Sequence, residues 1–353
     1  MNSLEAFERA GALPEGSLRC VPALKPPVFP IKVDPDLPSY WQDFTRASIF
    51  FLDDDLVLKL QTQYPVGQVN LPQEDMLVLI SLAGFSAADL AEDTRLRMRG
   101  VPPCPNLVAE FDMEREGVGF SERLTPVTEV WADATKERRR RWAVEMTSAV
   151  AYLETIGLVP SHIDVRDLGI DKAGRLKLIG FATSDRKPSE TAEDDDGKEL
   201  DESLPLSPGR IYRRAMEGAH QRLACCLYYL LSGADVDSEI RSLTSVEEIR
   251  AFREKVRGGN YQLDQEAAAV SEVIQAAWMK RAGTVSFAQT AEDVRAALES
   301  LGIEVESELP PALSQGHYQA LEARCREWAD AQVLDPDWMG LDEFEAACEQ
   351  AGF

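Results

Sequence analysis

The sequence predicts an α+β protein of two lobes: a small antiparallel β lobe with one helix, followed by a larger, mainly helical lobe. Its 353 residues correspond to two domains of about 150 residues each. Short apolar runs with strand character are concentrated before Thr125, whereas apolar residues at helical spacing dominate after it. Strands in one half and helices in the other favour a segregated α+β architecture over alternating β and α units.

The composition is that of a folded, acidic protein. Hydrophobic residues make up 44% of the chain, and 61 acidic against 37 basic residues give a net charge of −24. A charge of this sign repels the phosphates of nucleic acids and anionic lipids. We therefore expect protein partners, no nucleic acid and no membrane.

The cysteines, the histidines and the N-terminus bear on the compartment and on metal binding. The six cysteines are scattered without a C-x-x-C pair, which favours a reducing compartment over a disulfide framework. The segment MNSLEAFERAG is charged where a signal peptide has an apolar stretch. We therefore expect a cytoplasmic or nuclear protein. Three widely spaced histidines offer too few ligands for a zinc site.

The first part of the chain has the pattern of an extended arm followed by a β lobe. Residues 21–38 contain six prolines, which favour extended backbone, and we expect residues 1–44 to form a proline-rich N-terminal arm. We assign residues 45–124 to the β lobe. Its expected elements are a hairpin at 47–60 around the acidic turn Asp53 to Asp55, a helix at 72–90, and strands at 107–111 and 117–120.

The second part, residues 125–302, has the pattern of a mainly helical lobe. A long helix is expected to end at Gly157, and two strands are expected within 163–182 around the turn Lys172-Ala173-Gly174. Further helices are expected at 222–231, 246–256, 267–280 and 289–300.

Two acidic segments interrupt and follow this lobe. The stretch 184–207 has too few apolar residues to bury surface, and we expect it to be a mobile loop. Residues 303–353 are expected to form an acidic helical extension at the C-terminus.

One segment of the helical lobe resembles a known family. Residues 151–182, AYLETIGLVPSHIDVRDLGIDKAGRLKLIGFA, resemble without a gap the end of a long helix, the catalytic loop and the metal-binding strand of protein kinases. The loop H-I-D-V-R-D-L-G-I-D is most similar to the D-I-x-x-R-N-V-L-I-D of divergent fungal kinase-like families. The resemblance spans residues 45–302 and implies a two-lobed protein-kinase-like fold.

The resemblance also implies positions for ATP. Lys59 in DLVLKL lies where the family has the lysine that holds the α- and β-phosphates, and Glu74 on the next helix is its expected partner. In GVGFSERL, Ser121 lies at the gatekeeper position beside Glu122, and Leu124 offers backbone groups to adenine. The other interpretation of Lys59 is a solvent-facing lysine on a half-buried strand.

Further along the chain, RRAMEG resembles the A-P-E motif of the family. This resemblance implies an ion pair between Glu217 and an arginine near position 281. The following segment RLACCLYYLLSG resembles a buried helix of the family.

Three positions depart from the pattern that phosphoryl transfer requires. His162 lies where the family has the catalytic-base carboxylate, Asp167 lies at the place of a metal-binding Asn, and Gly180 replaces the metal-binding Asp of the D-F-G motif. The segment RASIFFLDDD also lacks a glycine-rich loop. Because magnesium neutralises charge during the transfer, we expect Mg²⁺ binding to be weak or absent. We therefore predict a pseudokinase that acts in signalling as a protein-binding regulator or scaffold, and ATP binding stays open.

A second interpretation retains catalysis. A two-residue shift makes His162-Ile163-Asp164 the catalytic triplet, with Asp164 as the base and Asp167 as a metal ligand. It predicts a weak or atypical ATP-dependent Ser/Thr protein kinase. The shift needs a two-residue deletion and leaves Gly180 without a carboxylate. For His162 itself, the alternative to a catalytic role is a neutral loop histidine hydrogen-bonded to backbone.

Overall fold

The structure, a computed structural model, describes residues 28–33, 39–42, 47–61, 104–113, 115, 117–160, 163–179, 184–186, 208–301, 313–340, 343 and 346. The chain divides into two compact units. The sheet unit comprises Met1–Arg95, Ala109–Arg123 and Ser314–Phe353, and the helical unit comprises Leu96–Val108 and Leu124–Leu313. The described residues form helices and small antiparallel sheets, so the predicted α+β class is confirmed.

In the part of the sheet unit that the structure describes, five strands form one sheet. They are β1 (Ser39–Gln42), β2 (Ala47–Phe51), β3 (Leu56–Gln61), β4 (Glu110–Asp112) and β5 (Val118–Glu122). Every pair is antiparallel, and the order across the sheet is β1-β2-β3-β5-β4. The strands predicted at 107–111 and 117–120 correspond to β4 and β5, which lie slightly further along the chain.

The hairpin of β2 and β3 confirms the prediction for residues 47–60. Its turn is closed by Asp53, whose Oδ1 accepts hydrogen bonds from the backbone N–H groups of Asp55 (2.7 Å) and Leu56 (3.0 Å). Aspartate favours turns because its short side chain bonds the backbone two or three residues later.

The sheet begins earlier than the sequence predicts. Strand β1 lies inside the range 1–44 assigned to the arm, because its backbone pairs with β2 from Ser39 to Gln42. The helix predicted at 72–90 lies outside the described residues.

The pleat of the sheet separates an apolar face from a polar face. Side chains alternate between faces along a strand, and directly paired residues share a face. The apolar face carries the buried residues Phe50, Leu56, Leu58, Leu60, Phe111, Val118 and Phe120. The opposite face carries Val57, Lys59, Glu110, Gly119 and Ser121. The lysine expected to hold phosphates therefore lies on the polar face.

The helical unit combines short strands with helices. Its strands are β6 (Thr125–Pro126), β7 (Leu158–Pro160), β8 (Leu168–Ile170), β9 (Leu176–Leu178) and β10 (Ser184–Arg186). Its helices are α1 (Val127–Val130), α2 (Lys136–Thr155), α3 (Pro208–Ser232), α4 (Val236–Ser242), α5 (Val246–Arg257), α6 (Ser271–Trp278) and α7 (Phe287–Glu299). Two 3-10 turns lie at Val165–Asp167 and Gln265–Val270. No helix in the described ranges is long and apolar enough to cross a membrane.

Helix α2 lies at the centre of this unit's core. It begins after the N-cap Thr135, whose hydroxyl accepts a hydrogen bond from the N–H of Arg138 (3.3 Å). Its fully buried apolar face repeats at helical spacing: Trp142, Met146, Ala149, Val150 and Leu153. The predicted end of this helix is confirmed, because Gly157 follows it with a φ of 79° that glycine tolerates without strain.

Strands β8 and β9 confirm the strand-turn-strand predicted within 163–182. Asp171 organises their turn, because its Oδ1 accepts hydrogen bonds from the N–H groups of Ala173 and Arg175, both at 2.9 Å. Strand β10 lies at the start of the acidic stretch 184–207 and pairs with β7, so this start is a strand and not a loop. Residues 187–207 lie outside the described residues.

Helix α3 is longer than the segment 222–231 predicted for it. It begins at Pro208 and includes RRAMEG in its early turns. Glu217 packs against Gly283, where an added Cβ would lie 2.6 Å from the glutamate Cγ. Among the described side chains, Glu217 forms no ion pair with Arg281. The prediction of this ion pair, which the A-P-E resemblance implied, was therefore wrong.

A C-terminal helix, α8 (Gln315–Asp330), covers the apolar face of the sheet within the sheet unit. It begins after the N-cap Ser314, which accepts a hydrogen bond from the N–H of His317. Its buried residues Leu321, Cys325 and Ala329 belong to the same core as the strands.

Two further contacts fasten α8 to the sheet. Trp328 meets Phe120 edge to face, with ring centroids 5.6 Å apart. Arg324 bonds the acidic turn of the hairpin through Asp53 and Asp55, and its Nη1 lies 2.9 Å from Oδ2 of Asp55. The C-terminal segment is therefore a structural part of the sheet unit.

We expect Leu321→Ala to destabilise the sheet unit by about 2–4 kcal/mol, because it removes buried apolar contacts and leaves a cavity between α8 and the sheet. Leu334→Ala is the matched control, since this leucine is 58% exposed and its truncation is expected to change stability by less than about 0.5 kcal/mol. Urea unfolding followed by tryptophan fluorescence measures both. Equal effects of the two variants would show that α8 does not cover the sheet.

Candidate functional site

Lys59 points from β3 across the polar face of the sheet and pairs with Glu110 of β4. The ammonium Nζ lies 2.7 Å from Oε1 of Glu110, and the two side chains are 27% and 26% exposed. The backbone of β5 lies between the two strands, and Gly119 is the paired residue of Lys59 on it. Glu74, the partner implied by the resemblance, lies outside the described residues. The acidic partner that the structure gives Lys59 is thus on a strand, and sequence reasoning missed it.

Ser121 and Glu122 are neighbours on β5 but face opposite sides of the sheet. Ser121 is buried on the polar face and is paired with Glu110 and with Val57. The buried carboxylate of Glu122 accepts a hydrogen bond from the N–H of Ala109 (2.7 Å), and the N–H of Glu122 donates to the carbonyl of Ala109 (3.0 Å). The structure thus brings Ser121 together with Lys59 and gives Glu122 a structural contact.

Leu124 is half-buried at the start of the helical unit and packs against Gly169 of β8. A Cβ on Gly169 would lie 2.6 Å from the Cβ of Leu124, so this contact requires glycine. The glycine in the loop segment D-L-G-I-D is therefore explained by the close approach of Leu124. Whether its backbone binds adenine stays a prediction.

Asp164 and Asp167 together stabilise one turn of the chain. Asp164 is the N-cap of the 3-10 turn Val165–Asp167, and its Oδ1 accepts from the N–H of Arg166 (3.0 Å). Asp167 completes a capping box, because its Oδ2 accepts from the N–H of Asp164 (2.9 Å). The guanidinium of Arg166 also holds both oxygens of Asp164, with two contacts of 3.2 Å. Both acidic side chains are thus engaged in local structure.

The environments of these two carboxyls shift their pKa values in opposite directions. Burial alone would raise the pKa of Asp164, but hydrogen bonds and charge from Arg166 outweigh it and hold the pKa below the usual range. Burial raises the pKa of Asp167 to about 6, although the N–H of Asp164 stabilises its charged form. Asp164 is a carboxylate of low basicity, and Asp167 is protonated more readily than an ordinary aspartate.

Two predicted positions remain, one before this turn in the sequence and one after strand β9. His162 and Gly180 are outside the described residues, so their assigned roles stay predictions. Ile179, the residue before Gly180, donates its N–H to the carbonyl of Asp167 at 2.7 Å, which ties the end of β9 to the loop. In the described ranges, no three His, Cys, Asp or Glu side chains are grouped so as to hold a metal ion.

Sequence reasoning missed a buried acidic side chain on helix α2. Glu145 on α2 is 3% exposed, and its Oε2 accepts from the N–H of Leu176 on β9 (2.7 Å). Burial raises its pKa to about 7, despite this hydrogen bond and the positive charges of Arg175 and Arg141. The available signal was its position, because a glutamate that follows Trp142 by three residues lies on the apolar face of the helix. Through this hydrogen bond, Glu145 anchors the hairpin of β8 and β9 to helix α2.

No family model matches the chain, and no curated protein matches its sequence. What the structure supports directly is an α+β protein with a lysine–glutamate pair on a sheet and a capped acidic turn in the helical unit.

We expect Glu145→Gln to remove a pH-dependent loss of stability. The unfolded chain ionises this carboxyl near its ordinary pKa of 4.5, whereas the folded protein keeps it protonated up to about pH 7. The stability it contributes is fully present below the lower value and is lost as the pH rises through the higher one. Between pH 5 and pH 8, wild type is expected to lose about 2–3 kcal/mol relative to the glutamine variant.

Urea unfolding at the two pH values measures this difference. The exposed Glu129 of α1 provides the control, because Glu129→Gln is expected to follow the wild-type pH profile. Parallel profiles for wild type and Glu145→Gln would contradict the prediction.

Proposed function

We propose that this protein is a catalytically inactive member of the protein-kinase-like superfamily, a pseudokinase that acts as a protein-binding regulator or scaffold. The observation that carries the proposal is the capping box of the loop, in which Asp164 and Asp167 are committed to backbone N–H groups and to Arg166. These are the two described carboxylates that the resemblance offers for catalysis.

The chemistry of each carboxylate argues against phosphoryl transfer. A general base works best with a pKa near the operating pH, whereas the pKa of Asp164 is lowered and both of its oxygens contact Arg166. Oδ2 of Asp167 already accepts the N–H of Asp164 at 2.9 Å, which leaves this carboxylate fewer lone pairs for a metal ion. The resemblance also implies that Gly180 replaces the main metal-binding carboxylate of the family.

A protein with this scaffold and without transfer chemistry acts through the partners that bind its surface. A net charge of −24 makes nucleic acid an unfavourable partner and favours basic protein surfaces. We therefore assign it protein partners and a role in signalling.

We expect no phosphoryl transfer from ATP to generic protein substrates or to the chain itself, with either magnesium or manganese. Incorporation of labelled phosphate by wild type and by Lys59→Met measures this. Turnover by wild type that is lost in Lys59→Met would overturn the pseudokinase proposal, because it would show transfer that depends on the phosphate-binding lysine.

The competing function, a weak Ser/Thr kinase that uses Asp164 and Asp167, makes a different prediction for Asp164→Asn. As a catalytic base, Asp164 would be required for every trace of turnover. As the cap of a turn, Asp164 is replaced by another good N-cap residue, so Asp164→Asn is expected to lower stability by less than about 1 kcal/mol and to leave phosphate incorporation at background. Thermal unfolding and the labelling assay on the same preparation separate the two roles.

A further inference from the structure

We propose that Glu110 is an internal competitor for Lys59, so that a phosphate-bearing ligand binds only by displacing the glutamate from the lysine. This inference rests on the proposed function and on the resemblance, which implies a phosphate-binding position for Lys59. It adds Glu110 to that site and predicts that this residue weakens the binding of the ligand.

The register of strands β3, β5 and β4 determines the position of the Lys59–Glu110 pair. Lys59 is paired with Gly119 on β5, and Glu110 of β4 is paired with Ser121 on the same strand. All four residues face the same side of the sheet, because positions two residues apart share a face. Gly119 contributes no side chain, so the lysine side chain extends over β5 and brings its ammonium 2.7 Å from Oε1 of Glu110.

The surroundings strengthen this ion pair relative to one in open solvent. About a quarter of each side chain is exposed, and the neighbouring Ser121 and Val57 on the same face are buried. Opposite charges attract more strongly where protein replaces water around them. An ammonium has three N–H donors in a compact group, and the carboxylate of Glu110 holds one side of it.

A phosphate group that approaches Lys59 therefore meets two opposing effects. It competes with Glu110 for the same ammonium, and its negative charge is repelled by the glutamate carboxylate. Without that carboxylate, the lysine loses the acidic partner that it has among the described residues and attracts the anion more strongly. The opposite role, a glutamate that positions the lysine for the ligand, would make the same substitution weaken binding.

The test measures binding of ATP without metal, and of inorganic tripolyphosphate, by calorimetry at low ionic strength. We expect Glu110→Gln to tighten the binding of ATP by about two- to fivefold relative to wild type. Equal gains for ATP and tripolyphosphate would identify the phosphate chain as the recognised group, and a gain for ATP alone would identify a nucleotide. Glu247→Gln, the same change at an exposed position of α5, is expected to have no effect.

Two variants keep the result interpretable. Glu110→Asp retains the charge but shortens the side chain, so it is expected to loosen the pair and to give a smaller gain than glutamine. Lys59→Met in the Glu110→Gln background is expected to remove the gain. Thermal unfolding of each variant identifies any that fails to fold.

Unchanged or weaker binding by folded Glu110→Gln, or a gain that survives Lys59→Met, would overturn this inference. Neither result bears on the pseudokinase proposal, which fails on a separate measurement, the Lys59-dependent turnover of the wild type.

Discussion

The two-residue period of strand β3 determines which of its side chains enter the core of the sheet unit and which face the polar side of the sheet. Leu56, Leu58 and Leu60 must be buried, so the residues between them face the other way, and Lys59 is one of these. Burial of the three leucines by helix α8 thus presents the lysine on the opposite face beside Glu110. A one-residue slip of β3 would bury the ammonium in the core and expose the leucines.

In the helical unit, local structure and chemistry compete for the same acidic side chains. A carboxylate that caps backbone N–H groups has fewer oxygen lone pairs left for a metal ion or a substrate proton. Asp164 and Asp167 cap each other's turn, and Glu145 holds strand β9 from behind. This unit therefore uses these acids to stabilise the shape of the loop.

Local signals predicted the local features, and long-range contacts were missed. The hairpin followed from apolar runs around Asp53, and the end of α2 followed from Gly157, because turns and caps depend on neighbouring residues. Glu110 as the partner of Lys59 depends on the register of three strands, which no local pattern contains. The ion pair of Arg324 with Asp55 joins residues 269 positions apart, so local patterns predicted a helix near the C-terminus without its contact.

The contact between α8 and the sheet has a consequence for biosynthesis. The five strands leave the ribosome long before residues 315–330, so their apolar face stays uncovered while the whole helical unit is translated. A nascent chain in this state exposes aromatic and aliphatic side chains that favour aggregation and chaperone binding. The sheet unit is therefore completed only after the helical unit has been made, and ribosomes that stall before α8 release a chain whose sheet lacks its cover.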